Sequence, residues 1–260
     1  MNQLRNTRNR AEHASLLPEW TLFRRLPPLP AIPLLLLSIL TLPPPTPASA
    51  NSCGRPEEIR NEYDVSTPTE EELPGEVGEP ELISAEVSEP EANDSGELQS
   101  EAKMHALFST DIDAFERALR RIEEQPEFLP RLAESEVLCS SGDPRSYAEV
   151  RQLLRFRFLF FRREYEYVLH YTLENPDADT FVVWWVLKEP VDDQIVETEG
   201  SWHFERIRRE GEEYTYMSYA TRTIFRRKRA GLRAALERFG ARDVRNAMLA
   251  LDEEARRTAE

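Results

Sequence analysis

Val150-Arg151-Gln152-Leu153-Leu154-Arg155-Phe156-Arg157-Phe158-Leu159-Phe160 decides how this 260-residue chain is read. Successive side chains of a strand point to opposite faces, so period-two alternation marks a sheet with one dry and one wet side. One register of this stretch holds Val150, Leu154, Phe156, Phe158 and Phe160, while Arg151, Arg155 and Arg157 fall mostly on the other. The next run repeats the pattern. Tyr165, Tyr167, Leu169, Tyr171 and Leu173 alternate with Glu164, Glu166, Val168, His170 and Thr172, and Arg162-Arg163 suit a tight connection between the two. Three further strands are expected: Phe181 to Leu187, apolar throughout and containing Trp184 and Trp185; Gln194 to Phe204; and Glu213 to about Thr223. Asn175-Pro176-Asp177, Glu189-Pro190 with Asp192-Asp193, and Glu210-Gly211 supply turns between them. Antiparallel strands with one wet face have this signature.

The period then changes. From about Arg226 to Arg257, Leu232, Ala235, Leu236, Phe239, Val244, Ala247, Met248 and Leu251 recur at helical spacing, with Arg and Glu between them. Gly231 and Gly240 each cost a helix interior about 1 kcal/mol relative to Ala, so a kink or short break is expected near Gly240. Upstream, Lys103 to Ser109 forms a short first strand. Thr110-Asp111 caps a helix to about Ile122, with Ile112, Phe115, Ala118, Leu119 and Ile122 on one side. A proline-bounded turn at Pro126 to Pro130 leads into a strand from Leu132 to Cys139. The expected order is strand, two short helices, six strands, long helix. The fold class is α+β, a curved antiparallel sheet of about seven strands gripping the terminal helix, with an apolar cavity between them.

The segment Phe115 to Leu138, with Glu127-Phe128-Leu129-Pro130 ahead of a strand, resembles the opening of START-like domains, the helix-grip superfamily that includes polyketide cyclase/dehydrases and coenzyme Q-binding proteins. Gly200-Ser201-Trp202-His203-Phe204, followed by Tyr214-Thr215-Tyr216 and Tyr219, resembles their penultimate hairpin, and Glu164-Tyr165 their acidic-aromatic strand start. The resemblance covers roughly residues 103 to 257. It implies a fold and a cavity, with ligands too varied to transfer.

Composition divides the chain at 1–50, 51–102 and 103–260. Arg24-Arg25, an apolar stretch from Ala31 to Leu42, and Ala48-Ser49-Ala50 make a secretory signal peptide cleaved after Ala50. An uncleaved anchor and a lipoprotein anchored through Cys53 are the alternatives; the former is disfavoured by the short apolar core and the latter by Ala50-Asn51-Ser52, which lacks a large aliphatic residue. Location is therefore expected to be secreted or periplasmic. Residues 55 to 101 hold 16 acidic against 2 basic residues, so most of the net charge of -15 belongs to a segment read as a disordered acidic linker. Such a linker opposes nucleic acid as a partner. Cys53 and Cys139 are the two cysteines, and with Cys53 in that linker a structural disulfide is not expected.

Candidate chemistry is sparse. His13, His105, His170 and His203 have no metal-ligand spacing with one another or with Cys, and no phosphate loop, G-x-S-x-G or Cys-His pair is present, so neither metal nor cofactor is expected. His170 and His203 fall opposite the aromatic faces and are read as solvent-facing. The alternative is a polyketide cyclase/dehydrase-like enzyme using cavity carboxylates or tyrosines; Glu164, Glu166, Glu197 and Glu199 are its acid/base candidates if they approach the cavity, and a wet sheet face otherwise. The candidate ligand site is the aromatic face: Phe156, Phe158, Tyr165, Tyr167, Tyr171, Trp185, Trp202, Phe204 and Tyr219, with Phe239 and Met248 from the helix. Arg222, Arg226 and Arg229 are candidates for an anionic head group or ligand carboxylate, and for contact with a membrane surface. The expected protein is a monomeric carrier of a lipid or other apolar molecule. An interaction module with a self-filled cavity is the third reading.

Overall fold

A computed structural model describes residues 53–55, 68–90, 96–158, 161–192, 194–226 and 231–259. In chain order the elements are a 3-10 turn (Glu70–Glu72), β1 (Glu81–Ser88), β2 (Leu98–Phe108), α1 (Ile112–Arg120), a 3-10 helix (Ile122–Glu127), β3 (Leu132–Ser141), β4 (Tyr147–Phe158), β5 (Phe161–Glu174), β6 (Thr180–Pro190), β7 (Ile195–Arg209), β8 (Glu212–Phe225) and α2 (Leu232–Arg257). The strands form one antiparallel sheet in the order β1-β2-β8-β7-β6-β5-β4-β3. After β2 the chain leaves the sheet, runs through α1 and the 3-10 helix to the opposite edge, and then returns strand by strand until β8 lies beside β2. A curved sheet closed over a terminal helix in this way is a helix-grip arrangement.

Two expectations about the sheet need correction. Among the described residues there are eight strands, and the short helices Ile112–Arg120 and Ile122–Glu127 follow the second strand instead of the first. The extra strand, β1, lies inside the segment read as a disordered linker, and β2 begins at Leu98 instead of Lys103. Composition averaged over the whole acidic segment hid eight residues that need no buried face. Strand β1 is exposed along most of its length and is held by its backbone register with β2, from Glu81 opposite His105 to Ser88 opposite Gln99.

Local chemistry otherwise acts as the sequence suggests. Asp111 caps α1 by accepting a hydrogen bond from the Asp113 backbone N–H at 2.8 Å, and Ile112, Phe115, Ala118 and Leu119 are buried. Glu210 and Gly211 both adopt positive φ, 56° and 86°, the requirement of a two-residue type I′ turn, and join β7 to β8. Gly231 stands at the N-cap of α2 with φ 84°, outside the helix interior, and the helix starts six residues later than expected. Gly240 does not interrupt it, because a single glycine costs less than packing of the helix returns.

The core is densest where α1 wedges between the sheet and the C-terminal half of α2. Phe115 stacks on Phe204 with centroids 5.2 Å apart, and Phe204 on Phe181 at 5.8 Å. Met217, Met248, Leu251 and Ala255 are fully buried around them.

Two further expectations are overturned. Cys53 and Cys139 form a disulfide, with Cα atoms 5.6 Å apart and a sequence separation of 86. Cys139 lies on the edge strand β3, where the chain at residues 53–55 reaches it, and Arg55 adds an ion pair to Glu174 on β5. His203 does lie opposite the aromatic face, yet it is only 4% exposed, with the Tyr216 ring edge-on at 6.3 Å. The outer face of β7 and β8 is therefore not uniformly wet. His170, on β5, is half-buried, its Nδ1 2.7 Å from the Tyr147 hydroxyl.

Candidate functional site

Between the concave sheet face and the N-terminal half of α2 lies a cavity of about 420 Å³. It exists because the helix changes partners along its length. Val244, Met248, Leu251 and Ala255 pack into the core, whereas Leu232, Ala235, Leu236, Gly240 and Ala247 face the open space. A Cβ at Gly240 would meet nothing within 4 Å, so this wall is recessed by a missing side chain.

Seven of the expected ligand-site residues line the cavity: Phe156, Tyr165, Tyr167, Tyr171, Trp185, Trp202 and Tyr219. Their strands pair so that each faces another inward residue, as Trp202 faces Tyr219 and Leu154 faces Tyr165. Trp202 and Tyr219 have ring centroids 4.5 Å apart, and Trp185 lies 5.6 Å from Tyr219. Gly200 makes room for this cluster. A Cβ there would fall 2.2 Å from Trp185 Cζ2 and 2.5 Å from the Ala220 carbonyl oxygen, so the indole lies flat against bare backbone.

The remaining expected residues are elsewhere. Phe204 and Met248 belong to the filled end of the core, where α1 occupies the space a ligand would need. The side chains of Phe158 and Phe239, and Arg229 altogether, lie outside the described residues. Arg222 projects from the outer face, where it donates to Glu199 Oε1 at 2.8 Å and pairs with Glu197. Arg226 is half-buried beyond the end of β8, its backbone N–H bonded to the Gln194 carbonyl, and is not among the cavity residues. Glu164 and Glu166 likewise pair across the outer face with Arg155 and Arg151. Strand alternation puts these four glutamates opposite the cavity-facing tyrosines and threonines.

The polar residues at the cavity were mostly not foreseen. Arg131, with φ 72°, reaches from the start of β3 to α2 and makes a two-pronged ion pair with Asp243 at 3.1 and 3.2 Å. Its guanidinium also stands 5.9 Å from the Phe156 ring. Deeper in, Gln125 Nε2 donates to the Leu119 carbonyl at 3.0 Å and to the Tyr171 hydroxyl at 3.3 Å, and Thr198 and Thr223 share a 2.8 Å hydrogen bond. Burial pushes the Tyr219 hydroxyl up to about 12 and holds those of Tyr167 and Tyr171 above the ordinary tyrosine range, so all three stay protonated and can donate. A signal for Gln152 was present: it occupies the inward register of β4 between Val150 and Leu154, a polar residue on an apolar face. Arg131 and Asp243 gave no such signal, being 112 residues apart.

No protein-family model and no curated protein matches the chain. Among solved structures it is similar to the Zhui aromatase/cyclase from Streptomyces sp. R1128, at 15% identity and TM-score 0.48 over 62% of this chain and 96% of that one. A STAR-related lipid transfer protein fragment from Xanthomonas axonopodis aligns at 13% identity and TM-score 0.48, covering 66% of this chain and 98% of that one. A START superfamily protein from Mycobacterium smegmatis aligns at 11% identity and TM-score 0.45, covering 61% and 98%. These are likenesses of fold, and the helix-grip arrangement itself rests on this chain's own strand order and terminal helix.

Proposed function

We propose that this protein is an exported START-like domain that binds or carries a hydrophobic small molecule in the cavity under α2. The observation that carries this reading is a cavity of about 420 Å³ walled by Trp185, Trp202, Tyr165, Leu169, Leu232 and Leu236, with a few hydrogen-bonding groups among them. Small-molecule sites are built this way, as apolar clefts of roughly 300 to 1,000 Å³ with a small number of polar points. At the lower end of that range the site suits one compact molecule better than a lipid with two buried chains. The four candidate glutamates are engaged by arginines on the outer face, which favours carriage over carboxylate catalysis.

Export is supported by the leader pattern of residues 1–50, which lie outside the described residues apart from their sequence, and by the Cys53–Cys139 disulfide, a bond that persists in oxidising compartments. The same disulfide commits the sulfur that a lipid anchor on Cys53 would need. Among the described residues no helix is long and apolar enough to cross a membrane.

Native mass spectrometry of the exported protein, followed by organic extraction, tests the reading. An apolar molecule of one defined mass should accompany the protein and be lost in Trp202→Ala. A protein that is empty as isolated, and whose tryptophan emission is unmoved by any apolar probe, would refute it.

A further inference from the structure

Several polar groups at the cavity, the ring N–H groups of Trp185 and Trp202 among them, have no hydrogen-bond partner among the described residues, and two of the residues left so are adjacent. Gln152 on β4 and Tyr167 on β5 are direct cross-strand partners, so their side chains leave neighbouring points of the same concave face. Both line the cavity, at 8% and 6% exposure. Among the described residues neither the Gln152 amide nor the Tyr167 hydroxyl has a hydrogen-bond partner. The cavity holds its own control. Gln125 and Tyr171 are the same two residue types, buried still deeper at 1% and 3% exposure, and they satisfy one another at 3.3 Å, as Thr198 and Thr223 do at 2.8 Å. Buried amides and hydroxyls are almost always paired, so an unpaired couple beside empty space marks where something else supplies the partner.

Resting on the proposed binding function, we infer that the ligand carries an uncharged oxygen, a carbonyl or a hydroxyl, on an otherwise apolar body, and that this oxygen is held between Gln152 and Tyr167. The hydroxyl of Tyr167 donates, and the Gln152 amide can donate or accept, so a carbonyl oxygen accepts from both and a hydroxyl accepts from one while donating to the other. A carboxylate or phosphate does not suit this depth. The cation at the cavity best placed to meet one, Arg131, is already paired with Asp243, and Arg163 lies at the exposed side of the cavity, away from the buried couple. An isolated ion there would lose its hydration without a counter-charge.

Calorimetric titration of the full exported chain with 9-fluorenone, 9-fluorenol and fluorene tests this, because the three probes share one ring system and differ in the oxygen. Fluorenone and fluorenol should bind about five- to tenfold more tightly than fluorene, the range that one neutral hydrogen bond supplies. Tyr167→Phe and Gln152→Leu, checked for folding by circular dichroism, should each shrink that preference and leave fluorene affinity within about twofold. A preference among the probes that survives in the double variant overturns the inference, as does equal binding of all three by the natural protein. Binding of none of the three, with folded protein, overturns the cavity-binding reading itself.

Discussion

Gly200→Ala offers the sharpest check on the cavity wall. The added methyl would stand 2.2 and 2.7 Å from two indole carbons of Trp185 and 2.5 Å from the Ala220 carbonyl oxygen. The indole can relieve its share by swinging toward the cavity; the carbonyl belongs to the β7–β8 ladder and cannot rotate away. Overpacking of this kind costs about 1 to 3 kcal/mol, and the backbone contact puts this case near the top of that range. Removing glycine's freedom from the unfolded chain returns about 0.4 to 1 kcal/mol. The net loss is about 2 kcal/mol, which for a domain of this size lowers the melting temperature by roughly 4 to 8 °C. Thermal unfolding followed by far-UV circular dichroism measures the shift, and near-UV circular dichroism reports whether Trp185 has left its packed position. In a Trp185→Leu background the penalty should shrink without vanishing, because the Ala220 oxygen remains. An unchanged or raised melting temperature for Gly200→Ala would refute the claim that the indole lies on bare backbone.

Cys139→Ser should lower stability by about 2 to 4 kcal/mol in urea, since the disulfide closes a long loop in the unfolded chain; an unchanged midpoint would contradict that constraint. Trp202→Ala should cost about 3 kcal/mol, at the low end for a buried tryptophan because one side of the ring faces empty cavity, and a loss below about 1 kcal/mol would argue against its packed position. His105, His170 and His203 all have pKa values held below the ordinary 6.5, chiefly because burial penalises the imidazolium. A histidine kept neutral by folding contributes stability above its unfolded pKa, and loses it as pH falls from there toward the folded value. The melting temperature should therefore drop as pH is lowered below about 6.5, with a gentler slope in His203→Gln; equal slopes in both proteins would remove His203 as a cause. Glu254, held low chiefly by the hydrogen bond from Arg257, loses its contribution only in a separate window below the ordinary carboxylate value of 4.5.

Alternation along β4, β5, β7 and β8 determined by itself which side chains share the concave face, because Cβ direction in a strand depends only on sequence parity. Six cavity aromatics, all but Trp185 of the uniformly apolar β6, were legible for that reason, as were the cap at Asp111 and the turn at Glu210-Gly211, which depend on neighbouring residues alone. Parity does not say how far along a face the filling extends. Phe204 and Tyr219 share one face, yet α1 reaches the former and leaves the latter at the cavity, and only the packed elements decide that. Exposure of the opposite face was misjudged for the same reason, since the burial of His203 depends on what covers it as well as on its register. Strand β1 escaped notice because an edge strand is held by backbone hydrogen bonds and needs no apolar side to bury. The Cys53–Cys139 bond and the Arg131–Asp243 pair join residues 86 and 112 positions apart. Their proximity is a property of the folded chain that no local spacing encodes.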